Sequence, residues 1–211
     1  MLYKHAIEDS LGVTALMWAA SKGHEPLIRL LLETGAVGVN DRDDEGLTAL
    51  HRAASEGHIE LIKLLLKHGA DIHARTNDFS TILHWAVTSR SEDVVRLIIK
   101  SGLNGKEIDF QDFEGSVYSQ RYRGTALHWA VVGGHEGVAR VLLEEGADKS
   151  LKGNTGRMAI FWAVEFGYGG LCRMLLVDGF DFNVLDSFES TIRELAESVG
   201  NDEIVRLLKA Y

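Results

Sequence analysis

Thr48-Ala49-Leu50-His51 and Thr125-Ala126-Leu127-His128 are the same four residues at two places in the chain. Related strings begin at Thr14, Thr81, Met158 and Thr191. The steps between the first residues of successive copies are 34, 33, 44, 33 and 33. A fixed period of this size is typical of proteins built from stacked repeats. Because such a stack has no single buried centre, the repeat directs the search for function toward an exposed surface.

Residues 46–78 show how one copy of the repeat forms structure. Thr48 lies where a helix N-cap belongs, since its hydroxyl can accept hydrogen bonds from the first backbone N–H groups. A short helix with a narrow apolar stripe follows and ends at Gly57. The apolar run at 61–66 predicts a second helix with a wide buried face, because apolar residues fall on adjacent turns. Gly69 then supplies a left-handed C-terminal cap.

A recurring glycine supports this reading of the second helices. Five glycines each fall three residues after the last branched apolar residue of a second helix, and they are Gly35, Gly69, Gly102, Gly146 and Gly179. Each unit is too small to bury its own apolar faces, so neighbouring units must cover them. We therefore expect stability to be a sum over the contacts between neighbours.

Composition excludes several classes of function. The net charge of −9 argues against nucleic-acid binding, which needs a clustered basic face. The sequence contains no apolar run of the length that crosses a membrane, and its first residues do not resemble a signal peptide. The single cysteine, Cys172, excludes an internal disulfide and fits a reducing compartment. We expect a cytoplasmic or nuclear protein without a cofactor or metal.

A turn followed by two helices in about 33 residues, with Thr-x-Leu-His opening the first helix, resembles the ankyrin repeat. Gly-His closes the first helix at 23–24, 57–58 and 134–135, as it does in that family. Leu-Leu-x-x-Gly-Ala closes the second helix at 31–36, 65–70 and 142–147. The resemblance covers roughly residues 9–211 and implies an all-α ankyrin-repeat solenoid of stacked helix-turn-helix units with β-turn or hairpin fingers.

The resemblance divides the chain into about five repeats and a C-terminal capping repeat within a single array over 1–211. The approximate units are 9–42, 43–75, 76–119, 120–152, 153–185 and 186–211. The 44-residue step places an insertion of 11 residues in the third unit, within about 105–123. Insertions in repeat arrays often lie on the binding face.

Several residues depart from the family pattern. Phe79 stands where the turn normally has glycine, and Arg90-Ser91 replaces the usual Gly-His. Arg193-Glu194 replaces Leu-His in the last unit, as expected for a capping repeat with an exposed outer face. Local departures of this kind tend to mark functional sites. We therefore predict a site from the second to the fifth unit, centred on Arg90, the insertion and Phe166.

The resemblance implies that partners dock across the palm, formed by the ends of the first helices, and across the fingers, formed by the turns. The finger before the fifth first helix includes Arg157. The predicted partner contacts are Lys22, Asp44, Glu45, Glu56, Phe79, Ser89, Arg90, Tyr118, Arg121, Tyr122, Arg123, Glu165 and Phe166.

All four tryptophans occupy one register, directly before the first alanine of a first helix, and they are Trp18, Trp85, Trp129 and Trp162. Two readings remain open for this row. The tryptophans pack between repeats, or they form the aromatic wall of a groove that receives a partner side chain or an apolar small molecule.

The sequence predicts a monomeric, non-enzymatic scaffold that recognises another protein through palm and fingers. The motif histidines have no metal-binding spacing and are expected to be structural. An alternative is a small-molecule binder or enzyme that uses the aromatic groove near 105–123, with Glu56, Asp112, Glu165 and His84 as acid–base groups. A third reading is a recognition module from a larger multidomain protein.

Overall fold

The computed structural model of the protein describes residues 9–35, 37–112, 124–153, 155–176 and 180–211. Two compact units can be distinguished, whose described residues run from 9 to 104 and from 105 to 211. Regular structure in the described ranges is α-helical, with isolated β-bridges at the finger stems. The all-α fold class of stacked helix pairs predicted from the sequence is confirmed.

The first unit consists of three helix pairs. In each pair a first helix is followed by a second helix that packs against it. The helices are α1 (Ala15–Lys22), α2 (Glu25–Thr34), α3 (Ala49–Glu56), α4 (Ile59–Lys67), α5 (Ile82–Thr88) and α6 (Glu92–Lys100). The first helices pack in sequence, with α3 between α1 and α5, and α4 contacts α6.

The second unit repeats this arrangement after one additional short helix. Its helices are α7 (Gly105–Ile108), α8 (Ala126–Val132), α9 (Glu136–Glu144), α10 (Ala159–Glu165), α11 (Gly169–Leu175), α12 (Ile192–Val199) and α13 (Asp202–Ala210). Helix α10 packs between α8 and α12, while α11 contacts α9 and α13. Arg193 and Glu194 are exposed on α12, as the sequence predicts for a capping repeat.

The repeated Thr-x-x-His motif forms a reciprocal N-cap. The backbone N–H of Thr48 donates to Nδ1 of His51 at 3.1 Å, and the backbone N–H of His51 lies 3.5 Å from the Thr48 hydroxyl. The same pairing recurs at the start of α5 and α8. In α12, Glu194 takes the histidine's part and accepts from the backbone of Thr191 at 2.7 Å. The motif histidines therefore satisfy helix ends, which is a structural role.

Small residues and branched apolar residues fill the space between neighbouring helices. Ala53 and Ala54 of α3 are buried, as are Ile62 and Leu65 of α4. Four of the five predicted cap glycines have positive φ angles, and they are Gly35, Gly69, Gly102 and Gly146. The fifth, Gly179, lies outside the described residues. The helix ends are therefore positioned as the sequence predicts.

Candidate functional site

Phe79 has a left-handed backbone, with φ 64°. It lies two residues before the first residue of its motif copy. Glycine occupies this position in three other repeats, with φ between 69° and 83°. A side chain with a Cβ costs roughly 1–2 kcal/mol in this conformation. Phe79 is nevertheless 49% exposed, so burying its ring does not explain why the strain is kept.

Arg90 has the same property at the opposite end of α5. Its φ is 59°, and the other repeats have a left-handed glycine at this position. Ser89 Oγ donates to the carbonyl of Ala86 at 2.6 Å and accepts from Ser91 N at 3.2 Å. Ser91 in turn caps α6 by accepting from Val94 N at 3.4 Å. Hydrogen bonds from the two serines therefore hold the turn while the Arg90 side chain is exposed.

The finger formed by Asp43, Asp44 and Glu45 has one buried and two exposed carboxylates. Asp43 is buried, accepts from Leu47 N at 2.8 Å, and pairs with Arg52 at 2.7 Å. Asp44 and Glu45 are exposed, as a partner-binding role requires. The backbone of this finger is joined to Asn77, whose side-chain amide donates to the Asp44 carbonyl at 2.8 Å. The side-chain amide of Asn77 thus links this finger to the next one along the chain.

The palm of the first unit is polar and carries both charges. Lys22 and Glu56 are exposed at the ends of α1 and α3. The hydroxyls of Thr88 and Ser55 are hydrogen-bonded at 3.1 Å, which joins the ends of α3 and α5. This palm can offer ion pairs and hydrogen bonds to a partner.

The tryptophan row does not form a uniform groove wall. Trp18 is 52% exposed and stacks on His24 with ring centroids 5.6 Å apart. Trp85 and Trp129 are partly buried. Trp162 is 2% exposed, so it has almost no surface to offer a ligand and the groove-wall expectation is wrong for it. The physical reason is a cluster of side chains that covers its ring.

Arg157 is the centre of that cluster. The sequence placed it on a finger surface, but it is buried. Its Nε donates to Asp186 Oδ2 at 2.7 Å, and its Nη1 forms an ion pair with Glu165. The guanidinium also lies 4.8 Å from the centroid of the Trp162 ring and 5.1 Å from that of Phe188. Arg157 therefore binds the last two repeats together and is not available to a partner.

Asp186 is ionised in this cluster. Burial alone would raise the pKa of Asp186, but hydrogen bonds from the Ser190 backbone, Arg157 and the Phe188 backbone lower it overall. The two backbone bonds measure 3.1 Å and 2.9 Å. With Glu165 also present, two carboxylates face one guanidinium, so the cluster carries a net negative charge.

The predicted contact residues of the second unit lie beside this cluster. Phe166 is 36% exposed and stacks on Trp162, with centroids 6.1 Å apart and an interplanar angle of 19°. Tyr168 follows at 5.8 Å from Phe166. The Glu165 carboxylate is occupied by Arg157, so a partner would meet a carboxylate that is already paired. Phe166 is thus the exposed end of a packed aromatic group.

Two of the proposed acid–base groups have structural roles. Asp112 and His84 are both buried, and both accept from backbone N–H groups: Asp112 from that of Gly124, and His84 from that of Thr81 in the cap of α5. Glu56 is exposed. Burial raises the pKa of the Cys172 thiol to about 12, so the thiol is protonated near neutral pH. Among the described residues, no group of three or more His, Cys, Asp or Glu side chains could hold a metal ion.

The exposed Phe188 and the buried Asp186 are site residues that the repeat pattern does not predict. One signal was present, because Asp186 lies four residues before Ser190, as Asp43 lies four before Leu47. Four predicted contacts from the insertion lie outside the described residues, and they are Tyr118, Arg121, Tyr122 and Arg123. No helix in the described ranges is long and apolar enough to span a membrane.

Comparison with known proteins bears on both fold and family. The sequence matches the family described as ankyrin repeats (3 copies) over residues 1–76, 74–153 and 103–186. A chain in the solved structure of the Bd0816 predatory endopeptidase from Bdellovibrio bacteriovorus in complex with immunity protein Bd3460 superposes with a TM-score of 0.77. It is 23% identical, and the match covers 96% of this chain and 98% of that one. A search of curated proteins finds no match. The capped helix pairs and the family match together show that the chain belongs to the ankyrin-repeat family.

Proposed function

We propose that this chain is a non-enzymatic scaffold that binds another protein through its fingers and palm. The observation that carries the proposal is the left-handed backbone of Phe79 and Arg90. Both residues are exposed, and other repeats have glycine at these positions. Strain at exposed positions persists when another requirement maintains it, and binding is the usual requirement.

Chemistry around these two residues supports the proposal. Phe79 presents an aromatic ring on a finger, and Arg90 presents a cation beside the palm. Aromatic residues and arginine dominate the binding energy of protein interfaces. Nearby, Asp44, Glu45 and Glu56 are exposed and could pair with basic groups of a partner.

The fold of the related structure is consistent with this role. That structure is described as a complex between an endopeptidase and an immunity protein, so the shared fold occurs in a protein–protein assembly. The scaffold proposed here acts as a monomer in the cytoplasm or nucleus. The net charge of −9 disfavours nucleic acid as the partner, and the buried Cys172 suits a reducing compartment.

A pair of glycine substitutions tests the proposal. We expect F79G/R90G to be at least as stable as the wild type, because glycine relieves a cost of roughly 1–2 kcal/mol per position but adds about 0.5–1 kcal/mol of chain entropy. Partner capture from native lysate, quantified by mass spectrometry, should fall for this variant. The matched control is Leu30→Ser, which changes an exposed residue of α2. Equal capture by F79G/R90G and wild type would contradict the proposal.

A further inference from the structure

We propose that the second compact unit, which begins at residue 105, carries a separate docking surface. This surface takes a basic segment of a partner protein that has an aromatic or aliphatic anchor residue. This surface, the aromatic stripe, consists of Tyr168, Phe166, Trp162, Arg157 and Phe188. It rests on the function proposed above, protein binding through palm and fingers, but does not depend on the roles of Phe79 and Arg90.

The stripe is continuous. Tyr168 and Phe166 lie 5.8 Å apart, and Phe166 and Trp162 lie 6.1 Å apart, measured between ring centroids. The guanidinium of Arg157 then lies between the rings of Trp162 and Phe188, at 4.8 Å and 5.1 Å from their centroids. Each contact is within the range in which aromatic pairs or cation–π pairs attract. The stripe therefore joins a palm residue, Phe166, to a finger residue, Phe188.

The stripe has a buried base and two exposed rings. Arg157 and Trp162 are buried, whereas Phe166 is 36% exposed and Phe188 is 69% exposed. Rings that are fixed on a buried base lose little conformational freedom when a partner binds. Exposed aromatic residues held in this way are the usual anchors of an interface.

Buried ion pairs hold the base of the stripe. Asp186 binds Nε of Arg157 at 2.7 Å, and Glu165 binds the same guanidinium. Replacement of such a network by apolar residues is often neutral or stabilising, so stability alone is a weak reason for keeping it. Its geometric effect is to hold the guanidinium over the rings of both Trp162 and Phe188.

Charge selects the partner. The single positive charge of the stripe is buried and faces two carboxylates. Glu189 is exposed next to Phe188. A segment with Lys or Arg beside its anchor residue would meet complementary charge, and an acidic segment would be repelled.

Backbone strain adds an independent observation at the same place. Glu189 has φ 58°, and it occupies the finger position at which Gly46 and Gly156 stand in other repeats. Glycine would remove the strain but also the carboxylate beside Phe188. A retained carboxylate at this cost fits a requirement for negative charge at the exposed end of the stripe.

Selection from a phage-displayed library of random peptides on the full chain tests the inference. We expect the enriched peptides to carry Lys or Arg next to an aromatic or aliphatic residue. Their affinity should fall about 10-fold or more for Phe188→Ser and for Phe166→Ser, the size of a hot-spot loss. Circular dichroism checks the folding of both variants, and Phe188→Ser is the safer one because its ring is largely exposed.

Two further variants separate this surface from the one proposed for the first unit. Glu189→Gly should weaken the same peptides several-fold, since it removes charge. F79G/R90G and Leu30→Ser should bind them as the wild type does. Absence of enrichment above background, enrichment of acidic peptides, or unchanged binding by Phe188→Ser would each overturn the inference, whatever the outcome for Phe79 and Arg90.

Discussion

Asp112 Oδ1 accepts a 2.7 Å hydrogen bond from the backbone N–H of Gly124, although twelve positions separate the two residues. The backbone N–H of Asp112 also donates to the Gly124 carbonyl at 3.3 Å. In an ordinary finger the same pair of bonds joins Asp43 to Leu47, across three intervening residues. Eleven residues intervene between Asp112 and Gly124, eight more than between Asp43 and Leu47, yet the two stems are joined by the same bonds.

Because the stem is regular, the added residues should be dispensable for folding. Replacing residues 113–123 with the three residues found at 44–46 is expected to leave a folded array. The free energy of unfolding should be unchanged or higher by about 1 kcal/mol, since a shorter loop loses less entropy on closing. Urea denaturation followed by circular dichroism measures this. Loss of a cooperative transition would show that the added residues are needed for the fold.

The buried His51 predicts a pH dependence of stability. Burial, together with the nearby charges of Arg42 and Arg52, lowers the pKa of His51 from 6.5 to about 3. Below pH 6.5 the unfolded chain takes up a proton that the folded chain does not, so stability is lost as the pH falls from 6.5 toward 3. The loss attributable to this residue is up to about 1.4 kcal/mol per pH unit.

His51→Gln tests this because glutamine can still act as the partner of Thr48 in the cap. The variant should lose less stability than the wild type over the same pH range, as measured by urea denaturation at several pH values. His73→Gln, which changes an exposed histidine, is the control and should decline as the wild type does. Parallel curves for His51→Gln and wild type would show that His51 is not the titrating group.

Packing between repeats predicts a large effect at Leu65. This residue of α4 is fully buried, so Leu65→Ala should cost roughly 2–5 kcal/mol of unfolding free energy. Leu30→Ala, on the exposed side of α2, should change it by less than about 0.5 kcal/mol. A cost below about 1 kcal/mol for Leu65→Ala would be inconsistent with stacking as the source of stability.

The buried Arg157 predicts a second large effect. Arg157→Ala leaves the buried Asp186 without its cation and removes the base under Phe188, so we expect a loss of about 3–5 kcal/mol. Arg173→Ala is the matched control, because it breaks an exposed pair with Glu203 that is 2.8 Å long. That control should cost less than about 1 kcal/mol. Similar losses of unfolding free energy for both variants would show that burial of the Arg157 pair does not add to its stabilising effect.

The repeat was predictable because its signals are local. Thr48 and His51 are three residues apart, and the cap glycines follow their helices directly, so short-range chemistry determines both. Phe79 and Arg90 could be identified as departures for the same reason. Their positive φ angles agree with the glycine that each of them replaces.

The Arg157 cluster was not predictable, because its partners are distant in sequence. Asp186 is 29 residues from Arg157, and the side chain could equally have pointed to solvent from a finger. Trp162 lies under the Arg157 guanidinium and is buried, whereas Trp18, in the same register, stacks on His24 and is half exposed. Register identifies equivalent positions, and nonlocal packing determines which of them reach the surface.

Hydrogen exchange of the full chain, alone and with the protein that it captures, shows which residues the partner covers. If the fingers and palm bind the partner, added protection should include residues 77–90, which contain Phe79 and Arg90. The second helices α2, α4 and α6 should exchange as they do in the free protein. Protection confined to α2, α4 and α6, with none at 77–90, would contradict the account.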